Sequence, residues 1–477
     1  MIPVEQAAED GLNVHRFTVV LLSLSFLLAT GCTGLTNYAK VTEQARFSIS
    51  QGRFEDALTA FPDKYARGKD EVLVRLERAT LLQLMGKYDE SSREFQLGAA
   101  KIREYEEKAV ISASRATSQL GSLLLNEQVR PYEGEDFEKI LIHAFGAVNY
   151  LMTGDLEGAR VEIRNAYQRQ NELKERHEKA LEKAEKESRG TNWQDSFQKA
   201  DSDRYRELKS KAGDINSIYQ NAFAYYISSL VYELGGEEDE AYIDLKKGIE
   251  AAPWSKSIRK DLIRLSRRLG RGEDTEQWQE AFGKLEDECG KGLDIFVIFQ
   301  HGVAPVKEEL SFPVPLSRGG LSFASLPVYR FVPSSVRAAE LVYEDRVTET
   351  SLVSDTDAIA SRNLLDQFPV LFAKQVARSY FKARMTSKLS KEYGAIGAIT
   401  GTIAAAITER ADLRAWASLP KEIQVVREFV PESTKKIVVR GTPSTHAKVI
   451  DIPEGTRHLI VFCRDTEAGL SIQTKAY

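Results

Sequence analysis

Histidine and cysteine are scarce in this chain of 477 residues, with six of the first and three of the second. His143, His177, His301, His446 and His458 fall in no HExxH or other ligand spacing, so no metal site is expected. A GxSxG elbow, a GxxxxGKS phosphate loop and a GxGxxG turn are missing too, which leaves no sequence ground for an enzyme or a cofactor. His458 and Cys463 stand five apart in one strand-like run and project to opposite faces, so they do not form a base and nucleophile. The formal net charge of −5 offers no basic excess for gripping phosphates, and no nucleic-acid partner is expected. No apolar run reaches the ~20 residues that a membrane-spanning helix needs.

What is present begins with FTVVLLSLSFLLATG, an uncharged stretch from Phe17 to Gly31 of signal-peptide length. Glu5, Glu9 and Asp10 put acid where an export signal wants positive charge, and Arg16 is the one full cation before the apolar run. A start of synthesis near Val14 is therefore expected. Cys32 behind Leu28, Ala29, Thr30 and Gly31 resembles the lipobox of bacterial lipoproteins, with Ala29 where leucine is usual. That resemblance implies cleavage of residues 1–31 and acylation of Cys32, a membrane anchor whose several chains make release slow. Thr33, rather than aspartate, after the cysteine implies sorting to the periplasmic face of the outer membrane rather than the inner one. Cys289 and Cys463 then remain, either paired in an oxidising compartment or as two buried free thiols.

Turn glycines carry the architecture. Gly52, Gly86, Gly154, Gly236 and Gly270 are separated by 34, 68, 82 and 34 residues, and 34 is the tetratricopeptide period. The clearest copy has Gly236 followed by Ala241, Leu245, Gly248 and Pro253, with small residues where two helices approach and proline where the second stops. The same frame places Ala57 and Phe61, then Ser91, Phe95 and Gly98, then Ala159, Ile163 and Ala166. The frame around Gly270 is degenerate, as a cap would be. Helical repeats are thus expected over residues 32–288, interrupted at 165–217 by a charged, solvated helical hairpin.

After Cys289 the pattern changes to that of a mixed strand and helix domain, 289–477, with mainly antiparallel strands. Strands are expected in GLDIFVIFQHG and at Leu310–Pro313, Pro327–Val332, Ala339–Val353, Glu422–Val430, Lys436–Arg440, Lys448–Ile452, His458–Arg464 and Leu470–Thr474. Leu364, Leu365, Phe368, Leu371, Phe372 and Val376 give Asp355–Leu389 a helical period. Tyr393–Thr408, apolar all round and rich in glycine, reads as a buried helix or a membrane-inserting hairpin. The fold class is therefore α + β in two parts.

Three segments, YEGEDFEKILIHAFGAVNYLMTGDLEGARVEIRNA, HGVAP and TERADLRAWASLPKEIQVVRE, together resemble a family of bacterial tetratricopeptide-repeat envelope lipoproteins. The resemblance supports the domain order and envelope location without supplying a reaction. The expected function is a membrane-anchored scaffold whose concave face receives a protein or peptide partner. Phe223 and Tyr226 take groove-facing positions of the best repeat, while Tyr225 and Tyr232 match core positions. Glu409, Asp412, Arg414 and Trp416, with His301, form the other candidate cluster, Arg414 and Trp416 as partner contacts or as a structural ion pair under an aromatic lid. The alternative function is an envelope enzyme, or an activator of peptidoglycan enzymes, with its active part in the C-terminal domain.

Overall fold

A computed structural model describes residues 38–114, 130–187, 202–213, 215, 217–284, 292–315, 321–368, 370–371, 387, 411–443 and 446–477. The export segment with Cys32, Cys289, most of the insertion's tip and the glycine-rich segment with Glu409 lie outside these residues.

The first half is a succession of antiparallel helix pairs: α1 (Tyr38–Ser50) with α2 (Phe54–Thr59), α3 (Glu71–Leu84) with α4 (Tyr88–Ser114), and α5 (Asp136–Thr153) with α6 (Leu156–Glu187). After α7 (Ser202–Ala212) come α8 (Ala222–Leu234) with α9 (Glu238–Ala251), and α10 (Lys256–Arg268) with α11 (Gly272–Phe282). Each of the five ladder glycines sits in the turn of one pair with φ between 67° and 88°, a backbone conformation that side chains with a Cβ resist. The small or apolar residues of the frame do what the spacing predicts: Ala57, Phe61, Ser91, Ala159, Ala241 and Leu245 are all buried. A Cβ at Gly248 would stand 3.6 Å from Ile258 Cδ1 and 3.7 Å from Tyr225 Cβ, ordinary contact distances, so the packing there calls for a small residue and would also admit alanine. The last pair is a helix hairpin like the others, despite its weak sequence frame.

The second half stacks two sheets on that array. One has the order β11-β10-β1-β7-β6, with β1 (Leu293–His301), β6 (Ser351–Asp355), β7 (Glu422–Val430), β10 (His458–Thr466) and β11 (Gly469–Ala476). Its pairs are antiparallel apart from β1 with β10, which is parallel. The other has the order β5-β4-β8-β9, from β4 (Ala338–Tyr343), β5 (Arg346–Glu349), β8 (Lys436–Thr442) and β9 (Ala447–Asp451), and is antiparallel throughout. β2 (Val306–Pro315) and β3 (Leu321–Arg330) form a separate hairpin. The run expected as one strand over Ala339–Val353 is three short ones, because the charged tip Glu344-Asp345 folds back with Glu344 at φ 50°.

Alternation explains the layering. On β1, Phe296 and Ile298 face the helices and join their core, while Leu293, Ile295, Val297 and Phe299 face the second sheet with Leu341, Ile437 and Val439. A central strand buried on both sides reads as a continuous apolar run, here Ile295–Phe299, which is why GLDIFVIFQHG stood out. The change of secondary structure near residue 289 is thus not a break in packing: one apolar core runs from α1 to β10. The insertion is less solvated than its charge suggests, since Leu208 and Ala212 of α7 are buried and Arg204 reaches Glu308 of β2 at 3.2 Å.

Candidate functional site

The concave face of the helical array is filled by the chain's own C-terminal half. Residues 412–421 cross it as an irregular segment with a turn at Ala417-Ser418, and buried carboxylates on two first helices hold the segment's backbone. Glu77 of α3 accepts hydrogen bonds from the amides of Ala417 at 2.6 Å and Ser418 at 2.9 Å. Glu138 of α5 accepts from the amide of Trp416 at 2.8 Å and from the Tyr132 hydroxyl at 2.5 Å. The Tyr38 hydroxyl donates to the carbonyl of Ala415. Glu138 is fixed by its own helix start, where it and Glu135 form a reciprocal capping box.

Trp416 is the plug. It is 1% exposed, its indole N–H donates to Thr80 at 2.9 Å, and its rings meet Phe95 and Phe145 edge-on at 5.7 and 5.8 Å. Arg414 lies over the Tyr132 ring at 5.4 Å, paired with Asp412 at 2.7 Å and Asp70 at 2.8 Å and donating to the carbonyl of Arg130 at 2.9 Å. Of the two roles open to Arg414 and Trp416, the structure gives the internal one, an ion pair over a buried aromatic. Phe223 and Tyr226 do face the groove, but both are wholly buried: Phe223 meets Phe145 at 5.8 Å and Tyr226 meets Phe296 of β1 at 5.4 Å. The expectation that they receive a separate partner is corrected: both are closed off inside the protein, Phe223 by Phe145 of the array and Tyr226 by Phe296 of β1. Cys463, on the sheet's other face, is a buried free thiol raised above its ordinary pKa by burial, and Cys289 lies outside the described residues.

A second contact between the halves is ionic. Arg427 of β7 pairs with Asp294 of β1 at 2.7 Å and with Glu233 of α8 at 2.6 Å, and Arg264 of α10 pairs with Glu233 and Asp261 at 2.8 Å each. Burial alone would raise Glu233, but Arg427 and Arg264 carry its carboxyl down to about 2, and Asp294 is held low against burial chiefly by Arg427. Glu138 goes the other way. Burial and the neighbouring Glu135 raise it to about 7, against the pull of Tyr132 and two amides. Burial raises Glu77 likewise, although three hydrogen bonds to the 417–418 segment oppose it.

Sequence reading missed these carboxylates and the buried Arg427, although a signal exists. Glu77 and Glu138 stand on the apolar faces of their helices, in register with Leu73, Thr80 and Leu84, and with Leu141, Phe145 and Met152. A charge there calls for a buried partner. The segments that carried the family resemblance are also those that meet here: Glu135 pairs with Lys307 just past HGVAP, Ala304 donates to Leu419 at 2.9 Å, and Lys421 donates to the carbonyl of His301 at 3.0 Å. The Glu135–Lys307 pair borders a cleft of about 310 Å³ with Tyr132, Gln367 and Asp412. His301 itself is buried, with Nε2 3.1 Å from Glu422 and Nδ1 3.1 Å from Ser334. No group of three potential metal ligands occurs among the described residues.

No protein-family model matches the chain, and no curated protein matches it. Among solved structures, it is similar to the TPR domain of P58(IPK) at 17% identity, over 57% of this chain and 99% of that one, with a TM-score of 0.12.

Proposed function

We propose that the protein is a lipid-anchored scaffold of the bacterial cell envelope, without catalytic activity, whose helical array cradles a C-terminal sheet unit and presents it to protein partners. The observation that carries this reading is the groove's use in cis: it grips a segment without regular secondary structure by its backbone amides, as a peptide-binding array grips a ligand. A partner then docks outside the groove. Accessible apolar side chains of the array include Phe47 on the first helix α1 and, on second helices, Leu97 on α4, Val161 and Tyr167 on α6, and Ile243 on α9, each at least 44% exposed. The anchor rests on the sequence around Cys32, and the periplasmic face of the outer membrane on Thr33. Among the described residues no helix is long and apolar enough to cross a membrane.

Photocrosslinking in living cells from positions 161 and 243, with position 226 as the internal control, tests the docking. Capture of an envelope protein from 161 or 243, with only intramolecular crosslinks from 226, is expected; intermolecular capture from 226 alone restores an open groove and overturns the reading. Fractionation tests the anchor: Cys32→Ala leaves the membrane fraction, and its retention there removes the acyl tether.

The rival reading, an envelope enzyme or activator, draws on the Ser334–His301–Glu422 chain of hydrogen bonds beside a cavity of about 160 Å³ bounded by Arg464 and Asp465. The Ser334 hydroxyl is also tied to the carbonyl of Val336 at 3.1 Å, as in a structural turn. Labelling of the wild type, but not of Ser334→Ala, by a fluorophosphonate would favour that rival.

A further inference from the structure

β9 is an open edge. In the order β5-β4-β8-β9 it ends its sheet, and Gly441 N donates to the carbonyl of His446 while Ile452 N donates to that of Lys435. Those bonds fix the alternation along the pair. Lys448 and Ile450 turn their backbone groups to β8, whereas Ala447, Val449 and Asp451 turn theirs outward, where no described strand meets them. Natural edges of this kind are templates for another strand unless something covers them.

The side chains at the edge add two features. On the outer face, the register Val347↔Val342↔Val438↔Val449 draws one row of valines across all four strands, and its end members are 52% and 61% exposed. Charge flanks the row, with Glu340 bonded to Arg440 on one side and Lys436 to Asp451 at 3.3 Å on the other. On the inner side, His446 and Lys448 border a cleft of about 980 Å³ that continues to the helix turns at Gly52 and Lys87, and to Ser471 and Gln473 of β11. The ionisable groups facing that cleft are Arg53, Lys87, Lys448 and His446 against Glu55 and Asp56. Asp56 is already held by Arg53 at 3.6 Å. Lys87 and Lys448 therefore face only Glu55, and the cleft carries an excess of positive charge.

We infer that β9 is a docking edge for an extended segment of another protein with alternating apolar and acidic residues. The segment pairs with the outward amides and carbonyls of Ala447 and Val449 as a fifth strand. Its apolar side chains prolong the valine row, and its acidic ones reach Lys448 and Lys87 in the cleft. The inference deepens the scaffold reading by naming a surface and the partner's chemistry, and it uses neither the groove nor the convex helices.

The test uses full-length acylated protein in detergent and fluorescein-labelled Glu-Val-Glu-Val-Glu-Val, with Lys-Val-Lys-Val-Lys-Val as the control, followed by anisotropy at low salt. Saturable binding of the acidic peptide is expected, at least tenfold weaker for Lys448→Glu and for Val449→Lys, both at exposed positions and both checked for an unchanged melting curve. Absence of binding, equal binding of the two peptides, or variants that bind like the wild type overturn it. A dimer in sedimentation equilibrium that Val449→Lys dissolves also overturns it, in favour of a second copy at the edge. Capture from positions 161 and 243 is independent of β9, so loss of the edge proposal alone leaves the scaffold standing.

Discussion

Two of the buried polar contacts between the helical array and the C-terminal half differ in one respect. At the Trp416 segment, Glu77 and Glu138 face backbone amides; at Arg427, Glu233 and Asp294 face guanidinium groups. All four are less than a tenth exposed. Yet Glu138 is raised to about 7 and Glu233 lowered to about 2. In these four groups burial pushes each carboxylate up, the amide donors at Glu77 and Glu138 recover part of that cost, and the guanidinium charges at Glu233 and Asp294 reverse the sign. The amide contact recognises backbone and suits a segment laid in a groove, whereas the ionic contact recognises side chains and fixes which strand sits where.

Removing a cation tests the contrast hardest. Arg427→Leu leaves Asp294 and Glu233 buried against too little charge, and chemical denaturation is expected to show a loss of about 3–5 kcal/mol. A loss below 1 kcal/mol would mean that the network's charges are already compensated by water. Glu77→Ala comes next: it strips the acceptor from the amides of Ala417 and Ser418, with an expected loss of about 2–4 kcal/mol in the same assay.

The pH dependence separates the contacts by sign. A carboxyl raised on folding from 4.5 to about 7 stabilises fully below 4.5, and that contribution is lost as pH climbs through 7. Glu233, lowered instead, contributes throughout pH 5–8 and fails only as pH falls toward 2. Between pH 5 and 8 the stability of the wild type is therefore expected to fall by about 2–3 kcal/mol more than that of Glu138→Gln, which keeps an acceptor for Trp416 and cannot titrate. Parallel melting curves for the two proteins across that range would place Glu138 among ordinary carboxylates. The smallest effect is the solvated reference: Arg440→Ala breaks an exposed pair with Glu340 on the outer sheet and is expected to cost less than about 1 kcal/mol.

Local structure was legible in the sequence because local rules make it. A turn glycine with positive φ, or a strand with an apolar run such as Ile295–Phe299 at its centre, depends on the chain within a few residues. Glu422–Val430 was read to the residue, and the strands after it to within two or three at either end. The groove was legible only as a surface. Phe223 and Tyr226 carry the same signal whether a stranger or the chain's own Phe145 and Phe296 lie on them, since nothing in a 34-residue period encodes a contact with β1. Arg414 and Trp416 drew notice as a charge beside an aromatic, but the partners that decide their role, Asp70 and Thr80, lie over 330 residues away.

That separation sets a clock. Glu77 and Ala417 are 340 residues apart, and Glu138 and Trp416 are 278 apart. Synthesis at ~5–20 residues per second makes the receptor tens of seconds before its ligand. During that interval Phe95, Phe145, Phe223 and Tyr226 line a face without the segment that covers it, and Glu77 and Glu138 there lack the amide donors of residues 416–418. The nascent chain is then a client for whatever guards exposed apolar surface, and chains cut short before residue 411 keep that need for life.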